Sequence, residues 1–319
     1  MSIQVEEAGL LTTVQDLGRP GYRHFGVMPG GAMDQQAAVL SNILLGNAPS
    51  KAVLECTLTG PCLRFTAAAW ICLMGADMQA SCDSRRVAHG QVFFVEAGQR
   101  LSLGYARNGC RSYLAIRGGV DVPLVMGSAS TFLKGGFGGY HGRALRAGDR
   151  LAVVKAPAGE PQRQGWYASP ALTEYLDRIN CIRYFPDITI SRFPRQQLEA
   201  QSFTVSQQSD RMGYRLRGKA LPRWLDHEPL SEGVCAGTIQ VPADGQPIVL
   251  MNDCQTTGGY PVLGQVITVD LAKIAQLKPG DFLRFVPVTL KEAHTALKQQ
   301  QQGRARLAIA ACYHWRQKQ

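Results

Sequence analysis

Short alternating strands dominate the pattern of apolar and polar positions. Three stretches repeat one design: EAGQRLSLG (96–104), RAGDRLAVV (146–154) and KPGDFLRFV (278–286). In each, a Gly is followed by Asp or Gln and then by a short alternating run. Glycine supplies the positive-φ turn and alternation marks a half-buried strand, so the recurrence predicts related β-barrel corners. The unit is too irregular for a solenoid repeat. Further strands are predicted over 63–65, 70–74, 92–95, 112–116, 182–184, 202–205 and 265–269. Two more flank an Asp-Gly break between 239 and 261, where Ile239, Val241, Ile248, Val249, Leu250 and Met251 require burial.

Helical signals are few. Residues 33–45 place Ala37, Leu40, Ile43 and Leu44 on one face and stop at Gly46. Residues 169–178 form a short segment with Pro170 behind a Ser cap, and Leu172 and Leu176 share a face. A helix over 288–302 starts at Thr289, with Glu292 three residues on as a capping box. The pattern predicts a mainly β protein with a few short helices and a C-terminal helix. Its expected divisions are a β-barrel domain over 1–155, a connector over 156–180, a second β-barrel domain over 181–290 and a basic helical tail over 291–319. The polar, Pro-containing stretch 156–164 reads as a linker.

Composition supports this picture. The 319 residues are 45% hydrophobic and only 18% charged, with 34 Gly and 17 Pro, which suits a turn-rich β protein. No apolar run approaches the roughly 20 residues of a membrane span, and the acidic start MSIQVEEAG lacks the basic region of a secretory leader. The nine cysteines show no Cys-x-x-Cys spacing and read as reduced core thiols of a cytoplasmic protein, with no metal site. The net charge of +10 raises nucleic acid as a partner, but about half the excess lies in the tail from Lys291. No basic stripe interleaved with aromatics appears elsewhere, so neither nucleic acid nor membrane is expected.

Four clusters could carry chemistry. In 12–34, Gln15, Asp16, Arg19 and Asp34 either line a site or form a turn salt bridge and a helix cap. In KGGFGGYHGR (134–143), Lys134, Gly135, Gly136, Gly138 and Gly139 resemble an anion cradle, although the P-loop pattern is absent. In SDRMGYRLRG (209–218), Arg211 and Arg215 could bind a carboxylate or phosphate, or Asp210 could stitch the loop through an ion pair. The fourth follows the strand ending at Met251: Asn252, Asp253, Gln255, Thr256 and Thr257 arrive together, more hydrogen-bonding side chains than a turn needs. Amides both donate and accept, so this cluster suits a substrate with an amide or ureido edge. No Gly-x-Ser-x-Gly elbow, His-Glu-x-x-His site, Walker motif or dinucleotide fingerprint is present, which points to a chain that works with other subunits.

The motifs TTVQDLGRPGYRHFGV, GGAMD, RSYLAIRGGVDVP with MGSAST, GGxGGxxGR, SDRMGYRL and VPADGQPIVLMNDCQTTGGYP run in order from about residue 3 to 290. They resemble the allophanate hydrolase subunit 2 family of biotin-dependent carboxyltransferase-type proteins, and within it the bacterial 5-oxoprolinase branch. The resemblance implies two cyclophilin-like β-barrels in a cytoplasmic C-type subunit, which acts with a direct B-type partner and with an A-type one. That 5-oxoprolinase assembly opens 5-oxoproline (pyroglutamate) to L-glutamate at the expense of ATP. The resemblance also leaves open a carboxyltransferase component of a urea carboxylase system, with biotin as cofactor, or a non-catalytic regulatory binding module. Under the leading reading, Asn252, Gln255, Thr256, Thr257, Tyr260 and Gln240 hold the amide edge. Arg211 or Arg215 neutralises a carboxylate or phosphoryl group, and Asp253 and Asp210 are the candidate general bases.

Overall fold

Strands Cys181–Pro186 and Phe282–Pro287 run side by side in parallel, with Ile182 opposite Phe285, and their pairing closes a seven-stranded barrel. The computed structural model describes residues 1–155, 166–186, 195–222 and 229–315; the linker expected over 156–164 lies outside them. Around the barrel the remaining staves are Val262–Val266, Thr238–Gln240, Ile248–Leu250, Gly213–Arg217 and Phe203–Val205. Strand periodicity explains the filling. Tyr214 and Leu216 point inward, whereas Arg215 and Arg217 point to solvent. At the centre the Phe285 ring lies 5.8 Å from Tyr184 and 5.9 Å from Phe203, both edge-on.

The strand expected over 265–269 ends at Val266, and Thr268–Asp270 is a 3-10 turn. The cause is Asp270. Its fully buried carboxylate accepts from the Arg183 backbone N–H (2.8 Å), Nε (3.0 Å) and Nη2 (2.6 Å), and lies 3.2 Å from Lys273 Nζ. Bringing that carboxylate to Arg183 bends the chain out of the strand.

The chain divides into two compact units. The first comprises Met1–Arg19, Gly30–Glu174 and Gln301–Gln319; the second comprises Pro20–Pro29 and Tyr175–Gln300. The loop 20–29 therefore groups with the barrel, not with the segment 1–155 in which the sequence pattern places it.

In the first unit, hydrogen bonding sorts the strands into a seven-stranded and a five-stranded sheet. Ile3, Val5, Leu63 and Phe65 from one meet Leu54, Ile71, Leu73 and Leu114 from the other in a single core. Helix Gln35–Leu44 covers the opposite face of the smaller sheet, where Leu40 and Leu44 share a cluster with Cys72, Met74 and Tyr113. Strand Arg111–Ile116 is consequently buried at every position. All three repeated turn-plus-strand stretches form strands, Arg100–Ser102, Arg150–Val153 and Phe282–Pro287, behind Gly98, Gly148 and Gly280 at φ of 88°, 91° and 93°.

Residues 169–178 form two 3-10 turns, Pro170–Leu172 and Glu174–Arg178. The last helix opens with the expected capping box, in which Thr289 N donates to Glu292 Oε2 at 2.7 Å and Glu292 N to Thr289 Oγ1 at 3.3 Å. It does not stop at 302 but runs from Leu290 to His314. Leu307, Ala311 and Trp315, four residues apart, pack into the first unit's second cluster and supply the burial that sustains it. Gly303 is the place of a close approach, since a Cβ there would lie 2.8 Å from Leu172 Cδ2.

Candidate functional site

The polar cluster after Met251 begins where its stave leaves the barrel. Met251 N donates to Met212 O (2.9 Å) and Asp253 N to Arg211 O (3.0 Å), tying the turn to the segment before strand Gly213–Arg217. The same two segments exchange charge. Arg211 Nε donates to Asp253 Oδ2 at 2.8 Å and Nη2 to Oδ1 at 3.2 Å, with both side chains more than nine-tenths buried. Sequence spacing makes Asp210 a possible ionic partner within this loop; the buried pair observed is Arg211 with Asp253. Asp210 is exposed, and its Oδ1 accepts from Met212 N (2.8 Å) and Gly213 N (3.2 Å), shaping the turn. Arg215 is also exposed.

Asn252, the residue before Asp253, is 9% exposed. Gln240 is buried on its stave; its Nε2 donates to Tyr260 O at 3.5 Å and leaves no room for a side chain at Gly258. Gln255 and Thr256 are half-buried, Thr257 and Tyr260 exposed. Thr257–Gly258 pairs with Glu232–Gly233 as a two-stranded ribbon. Thr256 O accepts from Val234 N (3.1 Å) and Arg23 Nη2 (3.4 Å). The arrangement thus joins Arg211 with Asp253, and Gln240 with Tyr260.

Two residues that sequence reasoning passes over belong to this neighbourhood. Arg23 contacts Thr256, and burial pushes the Cys254 thiol up to about 11, with the Arg23 charge opposing that rise. Arg23 stands in a motif that carries the family resemblance, and that is its only signal. Cys254 reads in sequence as one more core thiol, which its burial matches.

In the first unit, Asp16 is the hub of a buried knot. Its carboxylate accepts from Gly18 N (2.7 Å), Ser128 Oγ (2.7 Å), Ala129 N (2.6 Å) and the Ser130 hydroxyl. Arg19, fully buried, does not pair with Asp16: its Nη2 donates to Ser130 O, and its guanidinium lies 5.0 Å over the Phe137 ring. Gln15 Nε2 donates to Thr13 Oγ1 (3.0 Å) and Thr131 O (3.2 Å). Asp34 Oδ1 accepts from Ala37 N at 2.9 Å and so caps the helix it precedes. Beside it, Glu55 Oε2 accepts from Met33 N (2.8 Å) and Tyr113 Oη (2.9 Å), while Tyr113 Oη accepts from Asp34 N (2.7 Å). Burial raises the Tyr113 phenol well above its ordinary range, with the Glu55 charge adding to it. Glu55 is not visible in sequence because it lies in an apolar strand.

Part of the glycine loop is tightly packed. Gly138 and Gly139, at φ of 71° and 53°, press against Ser130 O and Thr131 Oγ1 so closely that a Cβ would overlap them. The N–H groups of Gly136 and Gly142 donate within the loop, to Phe132 O (2.9 Å) and Gly138 O (2.8 Å). Lys134, Gly135 and Gly136 are exposed. Among the described residues no cluster of three or more His, Cys, Asp or Glu side chains could hold a metal, and no helix is long and apolar enough to cross a membrane.

The family described as carboxyltransferase domain, subdomain A and B, matches residues 25–287. The C subunit of 5-oxoprolinase from Escherichia coli (strain K12) is 42% identical over 309 residues, covering 96% of this chain and 97% of that protein. Urea amidolyase of Saccharomyces cerevisiae is 32% identical over 94% of this chain, which spans 17% of the yeast protein. A crystal structure of the Kluyveromyces lactis urea carboxylase matches with a TM-score of 0.89 at 31% identity, over 96% of this chain and 29% of that one.

Proposed function

The chain belongs to the carboxyltransferase family of subdomains A and B, and from that membership we propose that it acts as the C-type subunit of an ATP-dependent 5-oxoprolinase. The observation that carries the reading is the 42% identity to the C subunit of a 5-oxoprolinase across nearly the whole of both chains. In this reading the enzyme is cytoplasmic, and a direct B-type partner and an A-type one complete it. Its reaction consumes 5-oxoproline, ATP and two waters and yields glutamate, ADP and phosphate.

Asn252, Gln255, Thr256 and Thr257, with Gln240 and Tyr260 beside them, present the donors and acceptors that a lactam N–H/C=O edge requires. Because Arg211 is already engaged with Asp253, the exposed Arg215 is the better cation for the substrate carboxylate, and Arg211 orients Asp253. Asp253 is the first candidate to take a proton from the attacking water, with Asp210 the second. The glycine loop is a poor cradle for a triphosphate, since Gly138, Gly139 and Gly142 are closely packed and the Gly136 and Gly142 N–H groups donate within the loop. No step on the nucleotide is therefore placed on this chain.

The similarity to urea amidolyase favours one second reading, a carboxyltransferase component in which the same amides face the ureido ring of biotin or urea. One experiment separates the two. The chain is purified with its A- and B-type companions and assayed for ATP-dependent release of glutamate from 5-oxoproline. No release overturns the leading reading, and biotin-dependent carboxylation of urea would replace it. Full activity in both Asn252→Ala and Gln255→Ala would overturn the site.

A further inference from the structure

Apart from these clusters, the first unit carries a groove of about 380 Å³ whose lining includes Trp70, Arg85, Arg86, Phe93, Phe94 and Glu96. It lies where the terminal strands of both sheets meet it, Val92–Val95 of the five-stranded sheet and Arg85–Arg86 of the seven-stranded one. Edge strands commonly carry charge, so the arginines alone would not distinguish it. Three further observations do.

First, the two arginines are presented by a constrained turn. Asp83 and Ser84 adopt φ of 42° and 70°, left-handed values that residues other than Gly, Asn and Asp avoid. The turn is held by Asp83 N donating to Arg100 O and Arg100 N donating to Asp83 Oδ1, both at 3.1 Å. Second, one ring of the aromatic wall, Phe94, is exposed beside the half-buried Trp70 and Phe93. Phe94 is 39% exposed and lies 4.8 Å from Trp70, and the Arg85 guanidinium sits 5.5 Å over the Phe93 ring. Third, charge in the groove is unbalanced. Arg86 is 3.9 Å from Asp77 at high exposure, a weak pair, and Glu96 is the one acid among the lining residues.

We propose that this groove binds a flat aromatic anion of mononucleotide size, its ring against Trp70 and Phe94 and its phosphate on Arg85 and Arg86. Guanidinium forks match phosphate oxygens, and rings stack on exposed aromatics. The volume suits one such molecule. The site is independent of the 5-oxoprolinase reading and involves none of the residues assigned to it.

Calorimetric titration of the full chain at low salt tests the proposal, with AMP as the probe and adenosine and ribose 5-phosphate as its two halves. The expected result is saturable, one-to-one AMP binding at least about tenfold tighter than either half. Arg85→Ala with Arg86→Ala, both on the surface, should weaken AMP binding by about tenfold or more. Phe94→Ala should weaken AMP binding while leaving that of ribose 5-phosphate unchanged. The absence of saturable binding, equal affinity for AMP and ribose 5-phosphate, or indifference to the arginine substitutions would each overturn it.

Discussion

Arg211 and Asp253 form a two-point ion pair, Nε to Oδ2 at 2.8 Å and Nη2 to Oδ1 at 3.2 Å, that locks the turn after one barrel stave to the segment leading into its neighbour. Removing one partner leaves a buried charge uncompensated. Arg211→Ala should destabilise the chain by about 3–5 kcal/mol, read as a shift in the urea midpoint. Replacing both, Arg211→Met with Asp253→Leu, should recover much of that stability, while activity of the full assembly stays lost if Asp253 takes the proton.

The glycine loop separates packing from exposure. Gly138→Ala places a Cβ inside the contact distance of Ser130 O, whereas Gly136→Ala, at φ of 66°, meets nothing within 4 Å. Thermal melts should show Gly136→Ala costing about 1 kcal/mol from its backbone conformation alone. Gly138→Ala should cost clearly more or prevent folding.

Tyr113→Phe removes one hydroxyl from the Glu55 network. Asp34 N then loses the Tyr113 acceptor and Glu55 Oε2 loses the donor that Tyr113 supplies. A buried group left short of its partner costs about 1–3 kcal/mol, measurable by urea denaturation. Far-ultraviolet circular dichroism should be unchanged.

Trp315 anchors the end of the last helix. Its indole lies 3.5 Å from the Arg117 guanidinium and donates from Nε1 to Leu44 O at 2.9 Å. Trp315→Ala should cost about 3–5 kcal/mol of that docking, and residues 301–314 should lose amide-exchange protection before the sheets do.

Acid sensitivity should trace partly to Asp149. Its carboxylate is held below the ordinary range first by the Arg143 guanidinium, at 2.7 and 2.8 Å, and further by Arg146 N. A depressed folded-state value contributes stability above the unfolded value of about 3.9 and loses it as pH falls through the folded one. Arg143→Ala should therefore be less stable than the parent at pH 7, by about 1 kcal/mol for a half-buried pair at the surface. The two should converge once pH falls below the folded-state value, where both carboxyls are protonated.

Legibility follows the range of the interactions involved. The Thr289–Glu292 capping box and the Asp34 cap are readable because each partner lies three residues away. Gly303, just beyond the bound that the local pattern sets at 302, belongs to a helix whose packing partners lie far off in sequence, Leu172 among them. The same distance hides the strand break at Val266, which depends on Asp270 reaching back to Arg183. In the candidate site, local density picks out Asn252 and Asp253, but nothing local says that Asp253 and Arg211, 42 residues apart, consume one another's charge.

The sequence by itself determined the β periodicity, the turns, the helix starts and the family, since these depend on side-chain type and short spacing. Tertiary structure alone decided which strands close the barrel, which carboxylate meets which guanidinium, and that Gly138 and Gly139 are packed while Gly136 is open. Those outcomes depend on groups brought within a few ångströms across tens of residues, where burial and charge pairing, not propensity, choose the partner.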